Sequence, residues 1–299
     1  MTSASMILTR INDISNIIHV KHLLFADDVK LYTTVASEDD GRFLQNSLTA
    51  VENWCEENHM SLNLSKCVVM TFHRIHQPLL YNYKLGGVSL RRVQEVKDLG
   101  VLCGPTLSPE PHVDYVCRKA NRSLGLIIRY SRFLSSPLAL KTLYCHLVRS
   151  HMEYCSVVWS PYQLYLQERL QSIQKRFLRL VGLRMGYRYE DVPIDELSRD
   201  LNLQSLELRR AVSDLVLLFK VVNAELHCPE LLARIDFRVP VATRSKELFA
   251  RSHHASSYEK YSTMARIQQL GNTLPEEIDF FNSSAAGFKN LVRSFLFKL

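Results

Sequence analysis

Three prolines within seven residues, at positions 105, 109 and 111, separate two parts of the chain that carry different apolar patterns. Proline fixes φ and lacks an amide proton, so neither a strand nor a helix is expected to run through the cluster. Before it, short apolar runs are separated by turn residues, as in strands. After it, apolar residues recur at three- and four-residue spacing, as in helices. The sequence therefore predicts an α+β unit followed by a mostly α-helical remainder.

In the first part, a pair of acids, Asp27 and Asp28, stands between the apolar runs 23–25 and 29–32. Aspartate tolerates turn geometry and the flanking residues favour strands, so the pattern predicts a β-hairpin whose tip presents two carboxylates. Carboxylate oxygens are the ligands that Mg²⁺ selects. A metal site is one interpretation; for an isolated acid pair, a solvated turn is the more common one.

Around this hairpin, the pattern predicts two helices and several antiparallel strands. A helix is expected over residues 6–19, and a second after the capping residue Ser37, with Leu44, Leu48, Val51 and Cys55 on its apolar face. The expected strands are 67–72, a hairpin over 81–90 that turns at Gly86 and Gly87, and a last strand over 95–103.

After the proline cluster, helices are expected over residues 112–134, 137–149, 164–181, 203–222 and 286–296, and residues 236–285 are expected to be rich in loops. The first of these helices has a clear apolar stripe, which consists of Val113, Val116, Ala120, Leu124 and Ile127. We therefore expect three regions: residues 1–105, residues 106–190 and residues 191–299.

The positive charge is concentrated in the middle region. Residues 106–190 carry 13 Lys and Arg against 5 Asp and Glu, whereas residues 1–105 carry 10 against 11 and residues 191–299 carry 14 against 14. Such an excess favours a polyanion through counterion release, so this region is the candidate nucleic-acid surface. A solubilising surface, or a basic helix facing an acidic partner, is the alternative.

The composition argues against a membrane protein and against a secreted disulfide scaffold. The sequence has no run of eighteen apolar residues and no apolar signal core at its start. Its seven cysteines are odd in number and never spaced Cys-x-x-Cys, so neither a disulfide framework nor a zinc site is indicated. We expect an intracellular protein, nuclear or cytoplasmic.

The box Phe25-Ala26-Asp27-Asp28 resembles the metal-binding hairpin of the reverse transcriptases of non-LTR (LINE, jockey-like) retrotransposons, and further similarities follow in order. The segments that resemble this family are Asn58 to Cys67, Val96 to Val101, Leu143-Tyr144, Glu153-Tyr154-Cys155, Val158 to Pro161 and Leu170 to Arg176. Ordered matches over residues 11–180 make this resemblance far more specific than an acid pair alone.

The resemblance implies the second half of a polymerase palm over residues 1–105, a basic thumb-like helical region over 106–190 and a helical extension over 191–299. It implies two-metal nucleotidyl transfer with Mg²⁺, in which Asp27 ligates metal and Asp28 supports the site. Lys66 lies at the position of the lysine proposed to protonate the leaving pyrophosphate; a lysine at a strand edge is the alternative. Leu99 and Gly100 lie at the primer grip.

The partners implied by the resemblance are an RNA template, a DNA primer or duplex, and a dNTP. The basic residues expected to contact nucleic acid are Arg118, Lys119, Arg122, Arg129, Arg132, Lys175 and Arg176. Tyr154 and Trp159 could stack on bases, although aromatic residues on an apolar helix face are more often core. His112 is expected to be structural or exposed.

No residue of this sequence matches the first palm motif, whose carboxylate bridges the two metals in the family, so the chain is expected to begin within the domain and to be inactive. One alternative is a non-enzymatic nucleic-acid-binding protein derived from such an enzyme. Another is a metal-dependent nuclease that uses Asp27 and Asp28, for which no third carboxylate motif is present.

Overall fold

The computed structural model describes residues 12–238, 247–251 and 253–297. The chain divides into two compact units, Met1–Ser108 and Pro109–Leu299, with the boundary inside the proline cluster. The first unit contains all the named strands and one long helix, and the second is built from helices. The mixed composition of helix and short strands is thus confirmed. The further division at residue 190 stays a prediction.

The predicted hairpin around the acid pair is confirmed. Strands β1 (Lys21–Phe25) and β2 (Asp28–Tyr32) pair antiparallel, with Phe25 opposite Asp28. The turn therefore consists of Ala26 and Asp27, and Asp28 is the first residue of β2. Before the hairpin, Asn12–Asn16 forms a short 3-10 helix; the first half of the helix predicted over 6–19 lies outside the described residues.

Helix α1 (Glu38–Glu57) begins at a capping box in which the Ser37 side chain accepts from the Asp40 amide and the Asp40 carboxylate accepts from the Ser37 amide at 2.8 Å. This helix supplies three of the six buried residues of one apolar core in the first unit, and the inner face of the hairpin packs on that core. The buried core residues are Ile14, Ile18, Val20, Val51, Trp54 and Cys55, with Leu24 and Leu31 packed against them. The hairpin therefore packs on the core through one face, and the residues at its tip are exposed to solvent.

The remaining strands are short and form three further two-stranded sheets. They are β3 (Val68–Val69), β4 (Lys84–Leu85), β5 (Val88–Ser89), β6 (Arg91–Arg92), β7 (Val96–Asp98) and β8 (Val101–Cys103). The β4–β5 hairpin turns at Gly86 and Gly87, both with positive φ, as the sequence predicts.

Two expectations about these strands are wrong. The predicted single strand over 95–103 is a hairpin, because Leu99 and Gly100 adopt positive φ and reverse the chain between β7 and β8. The sequence predicts antiparallel pairing throughout, but β3 pairs with β6 in parallel. Leu90 is the only residue between β5 and β6, so the direction of β6 follows from the β4–β5 hairpin rather than from a turn next to β3.

The second unit contains eleven helices in its described residues. They are α2 (Glu110–Tyr130), α3 (Pro137–Tyr144), α4 (Ser150–Glu153), α5 (Ser156–Trp159), α6 (Leu164–Arg184), α7 (Ile194–Asp200), α8 (Leu206–Val222), α9 (Pro229–Leu232), α10 (Ser257–Lys260), α11 (Thr263–Gly271) and α12 (Ala285–Leu296). A π-helical segment, Cys145–Arg149, joins α3 to α4. All five residues of the predicted apolar stripe of α2 are buried.

Residues 236–285 are less irregular than the sequence suggests. Helix α11 lies within this range and packs on α8, with Ile267 fully buried and Arg266 bonded to the buried Asp214 at 2.8 and 3.2 Å. The helix has only nine residues, so its apolar periodicity is too short to stand out among the surrounding Ser, Thr and Asn. Among the helices of the described residues, none combines the length and the apolar character needed to cross a bilayer.

Candidate active site and nucleic-acid interface

The hairpin tip presents Asp27 and Asp28 to solvent, and both residues are exposed. The turn is unusual because its first residue, Ala26, has φ +52°. Positive φ at the first residue of a two-residue hairpin turn is typical of the primed turn types, in which glycine, asparagine and aspartate are preferred. In the part of the chain that the structure describes, neither aspartate forms an ion pair. Both carboxylates are therefore available to a cation.

The strand that carries Asp28 is tied to the predicted primer-grip strand. Lys30 on β2 forms an ion pair with Asp98 on β7, and the two side chains are 33% and 39% exposed. Asp98 directly precedes the turn residues Leu99 (φ +43°) and Gly100 (φ +91°), which have the two positive φ values of a type I′ turn. The structure thus links the acid hairpin and the Leu99-Gly100 hairpin through one contact.

Lys66 lies elsewhere on this unit. It is exposed, it ends the turn before β3, and its amide donates to the Asn63 carbonyl at 3.0 Å. Among the described residues, no hydrogen bond or ion pair joins Lys66 to either aspartate. The structure therefore does not bring the third predicted catalytic residue into contact with the other two.

The donor set for a metal is small. Within residues 12–238, 247–251 and 253–297, no cluster of three or more His, Cys, Asp or Glu side chains could enclose a metal ion. Asp27 and Asp28 are suitable oxygen donors for Mg²⁺, which is commonly held by one or two carboxylates together with water and substrate phosphates. The two carboxylates at the hairpin tip can therefore supply only part of the coordination shell of a Mg²⁺ ion.

The predicted nucleic-acid contacts on α2 lie on one exposed face. Arg118, Arg122 and Arg129 are spaced by four and seven residues, and all three are exposed. Gly125 falls in the same row, and a Cβ at this position would meet no atom within 4 Å. Lys119 is also exposed, with its ammonium 5.0 Å from the centre of the Tyr115 ring. The face forms an open basic row.

Helix α6 adds to this basic row. Lys175 and Arg176 are exposed, and Arg176 Nη1 lies 3.3 Å from Asn121 Oδ1 on α2. This contact places the predicted basic residues of α6 beside those of α2. Arg132, just beyond the end of α2, is exposed as well. The seven predicted basic contacts therefore all reach solvent.

The base-stacking hypothesis is wrong for Trp159. Its side chain is only 4% exposed, its indole N–H donates to the Tyr154 carbonyl at 2.8 Å, and its ring meets that of His112 edge-on at 4.9 Å. A ring enclosed in this way cannot receive a base. Tyr154 remains exposed, and the buried His112 is structural, which is one of its two expected environments.

Two glutamines in the segment 170–176 hold the helical unit together. Buried Gln174 accepts from the Tyr144 hydroxyl at 3.0 Å and donates to the Gln204 carbonyl at 3.0 Å. The side-chain carbonyl of Gln171 accepts from the Leu206 amide at 3.1 Å, at the start of α8. The sequence contains a usable signal for this role, because a glutamine on the apolar stripe of a helix needs buried partners.

Comparison with known proteins agrees with the sequence motifs. The family model described as reverse transcriptase (RNA-dependent DNA polymerase) matches residues 2–103. A curated relative, the probable RNA-directed DNA polymerase from transposon BS of Drosophila melanogaster, is 26% identical over 188 residues, which cover 61% of this chain and 20% of the relative. The chain thus spans a fifth of the length of that relative. No solved structure matches the chain.

The alignment with the transposon protein is longer than the family match, so the similarity continues into the helical unit. The resemblance indicated by the sequence motifs is confirmed: residues 2–103 match the reverse transcriptase family model, and the chain is similar to a transposon-encoded RNA-directed DNA polymerase.

Proposed function

We propose that the chain is a fragment of an RNA-directed DNA polymerase that holds part of a palm and a helical surface for nucleic acid. The observation that carries this proposal is the Lys30–Asp98 contact. It ties the hairpin with the exposed Asp27 and Asp28 to the hairpin that turns at Leu99 and Gly100. A polymerase needs its metal-binding carboxylates and its primer-contacting turn in a fixed relation, because phosphoryl transfer depends mainly on positioning.

In this proposal Asp27 would ligate Mg²⁺ and Asp28 would support that site. The ion, when bound, would lower the charge on the reacting phosphates. Gly100, which has no side chain, would let a primer backbone approach closely. Lys66 would donate a proton to the pyrophosphate, for which it needs only proximity to the triphosphate.

Duplex nucleic acid is the proposed ligand of the second unit. Arg118, Arg122 and Arg129 form an exposed row on α2, and the basic residues of α6 extend that row. Cations spaced along a helix can meet successive phosphates without reading sequence. We expect weak, salt-dependent binding to an RNA–DNA duplex.

We further propose that the 299-residue chain does not extend a primer on its own. Two carboxylates on an exposed tip would leave Mg²⁺ most of its water, and Mg²⁺ binds reluctantly without well-placed ligands. Primer extension on an RNA template, run with the purified chain and with Asp27→Ala, tests this proposal. Extension that Asp27→Ala abolishes would contradict it. Extension that survives in Asp27→Ala would indicate a contaminating polymerase, and the preparation would be repurified.

A non-enzymatic nucleic-acid-binding protein is the second candidate, favoured by the same exposed basic row. Anisotropy titrations with a labelled RNA–DNA duplex at several salt concentrations test this binding. Reversing Arg118, Arg122 and Arg129 to Glu should lower the log–log salt slope by about 0.9 for each phosphate that is no longer neutralised. Reversing the exposed Arg199, Arg234 and Lys289 to Glu changes the charge equally elsewhere and should have a smaller effect. Equal slopes in both triple variants would remove the basic row as the binding surface.

A further inference from the structure

An apolar groove, which we call the aromatic groove, lies beside the basic row of α2. Its volume is about 480 Å³, and its lining includes Leu126, Tyr130, Phe133, Leu143 and Leu147. Tyr130 is 84% exposed and Phe133 is 100% exposed, values that are uncommon for two aromatic side chains three residues apart. Both rings lie open to solvent at the rim of the groove and could receive a flat ligand.

The segment that carries these rings is fixed by hydrogen bonds. The Ile127 carbonyl accepts from the Ser131 amide at 2.9 Å and from the Ser131 hydroxyl at 2.5 Å. The Ser131 carbonyl then accepts from the Leu134 amide at 3.0 Å. The backbone from the end of α2 through residue 134 is therefore a closed turn, so a ligand that binds here would have to immobilise the two side chains but not the backbone that carries them.

The groove is lined by residues from a stretch of the chain whose charges are all of one sign. Residues 115–152 contain seven Lys and Arg and no Asp or Glu. Arg129 and Arg132 are the sequence neighbours of the two rings, and both are exposed. An occupant of this groove must therefore offer flat apolar groups and negative charge at short intervals along one chain.

We infer that the aromatic groove binds unpaired bases of single-stranded nucleic acid, with bases stacked on Tyr130 and Phe133 and phosphates at Arg129 and Arg132. Within a duplex both faces of each base are already stacked, whereas a single strand can offer a base to a protein ring. This inference rests on the proposed nucleic-acid binding of the second unit and adds a preference: the groove selects the unpaired part of a strand that leaves the duplex on the basic row.

The test uses the full chain in anisotropy titrations with labelled oligothymidylate of about 20 nucleotides and with a blunt duplex of the same length. The double variant Tyr130→Ser/Phe133→Ser should bind the single strand at least about tenfold more weakly, since stacking on each ring contributes about 1–3 kcal/mol. Duplex affinity and the salt slope should stay unchanged, because every cationic side chain is kept. Both side chains are exposed, so the fold should tolerate the change.

Two further variants make the test specific. Tyr130→Leu/Phe133→Leu keeps the groove apolar but removes the π faces, and it should lose single-strand affinity as the serine variant does. Tyr187→Ser/Phe281→Ser removes two exposed rings elsewhere on the same unit and should bind like the wild type. A 2-aminopurine placed in the oligothymidylate should be quenched by the wild type and not by the serine variant.

Each other outcome overturns the inference. Full single-strand affinity in the serine variant would show that the rings do not take part, and full affinity in the leucine variant would indicate simple apolar contact. A wild type that binds duplex but prefers no single strand would refute the inference while leaving the proposed duplex binding intact. Such a result would favour an acidic protein segment as the occupant. A wild type that binds no nucleic acid would refute both.

Discussion

Lys30 on β2 and Asp98 on β7 form an ion pair across 68 residues of sequence, and it is a contact between the acid hairpin and the hairpin that turns at Gly100. Each residue stands close to the turn that it serves: Lys30 is two residues after Asp28, and Asp98 directly precedes Leu99. Neither residue is a predicted catalytic group. The pair joins two hairpins whose turns carry predicted functional residues.

The first prediction concerns the strength of this pair. A double-mutant cycle with Lys30→Met and Asp98→Asn, measured by urea unfolding, should give a coupling energy of about 0.3–1 kcal/mol, because both side chains are about one third exposed and solvent screens their attraction. The coupling should shrink at high salt. Effects of the single changes that simply add would mean that the ion pair is not formed in solution.

The second prediction concerns the turn at the acid pair. Ala26 has φ +52°, which costs a residue with a Cβ about 1–2 kcal/mol. Ala26→Gly should therefore raise the free energy of unfolding by about 0.5–1 kcal/mol, even though glycine has more conformational freedom in the unfolded chain. The matched control is Ala50→Gly inside α1, which should lower it by about 1 kcal/mol. Destabilisation by both changes would contradict the turn geometry.

The third prediction concerns Gly125 on the basic row. A Cβ here would meet open space, so Gly125→Ala should stabilise α2 by about 0.5–1 kcal/mol in urea unfolding. Gly182→Ala on α6 is the matched control, since its Cβ would clash with the Val192 side chain and the variant should be less stable. If Gly125→Ala were destabilising, the assigned exposure of this face would be wrong.

The fourth prediction concerns His151. Burial, with a smaller effect of the nearby Lys119 charge, holds the pKa of this imidazole below its usual value. The unfolded chain therefore binds this proton more readily than the folded chain does. The stability from the neutral imidazole is fully present above the unfolded pKa of about 6.5 and is lost as the pH falls below it.

Urea unfolding from about pH 7.5 down to about pH 5.5 measures this effect. The free energy of unfolding of His151→Gln should fall less over this range than that of the wild type. His146→Gln, at an exposed position one turn earlier, is the matched control and should follow the wild type. Identical pH profiles for all three chains would show that the His151 pKa is not lowered in solution.

The sequence predicts a feature of this structure when the residues that determine it lie close together along the chain, and fails to predict it when they lie far apart. The acid hairpin, the Gly86-Gly87 turn and the buried stripe of α2 follow from residues a few positions apart, and all three are confirmed. The Lys30–Asp98 pair and the parallel β3–β6 pairing join residues far apart, and no local pattern encodes them.

The burial of each aromatic side chain decides whether it can contact a base. From the sequence, Trp159 and Tyr130 are both aromatic residues in a basic helical region. The structure encloses the first against His112 and leaves the second 84% exposed. Neighbours brought in by tertiary packing make this difference, so the sequence offered Trp159 as a candidate for base contact and did not single out Tyr130.

The π-helical segment Cys145–Arg149 has a consequence for which changes of length the chain can accept. Leu140, Tyr144, Val148 and Met152 are all fully buried and recur at intervals of four. An α-helix has 3.6 residues per turn, so a four-residue repeat would rotate by about 40° at each step and leave the core. The wider i→i+5 turn absorbs the excess.

Deleting one residue from this segment would remove the extra residue of the wide turn and leave a regular α-helix, so the residues after it would keep their orientation. Met152 would stay in the core, and Glu153 would keep Arg209, to which it is bonded at 2.9 Å. The same deletion inside the regular helix α3 would turn everything after it by about 100°. Related chains can therefore lack one residue within Cys145–Arg149, whereas the length of α3 should be kept.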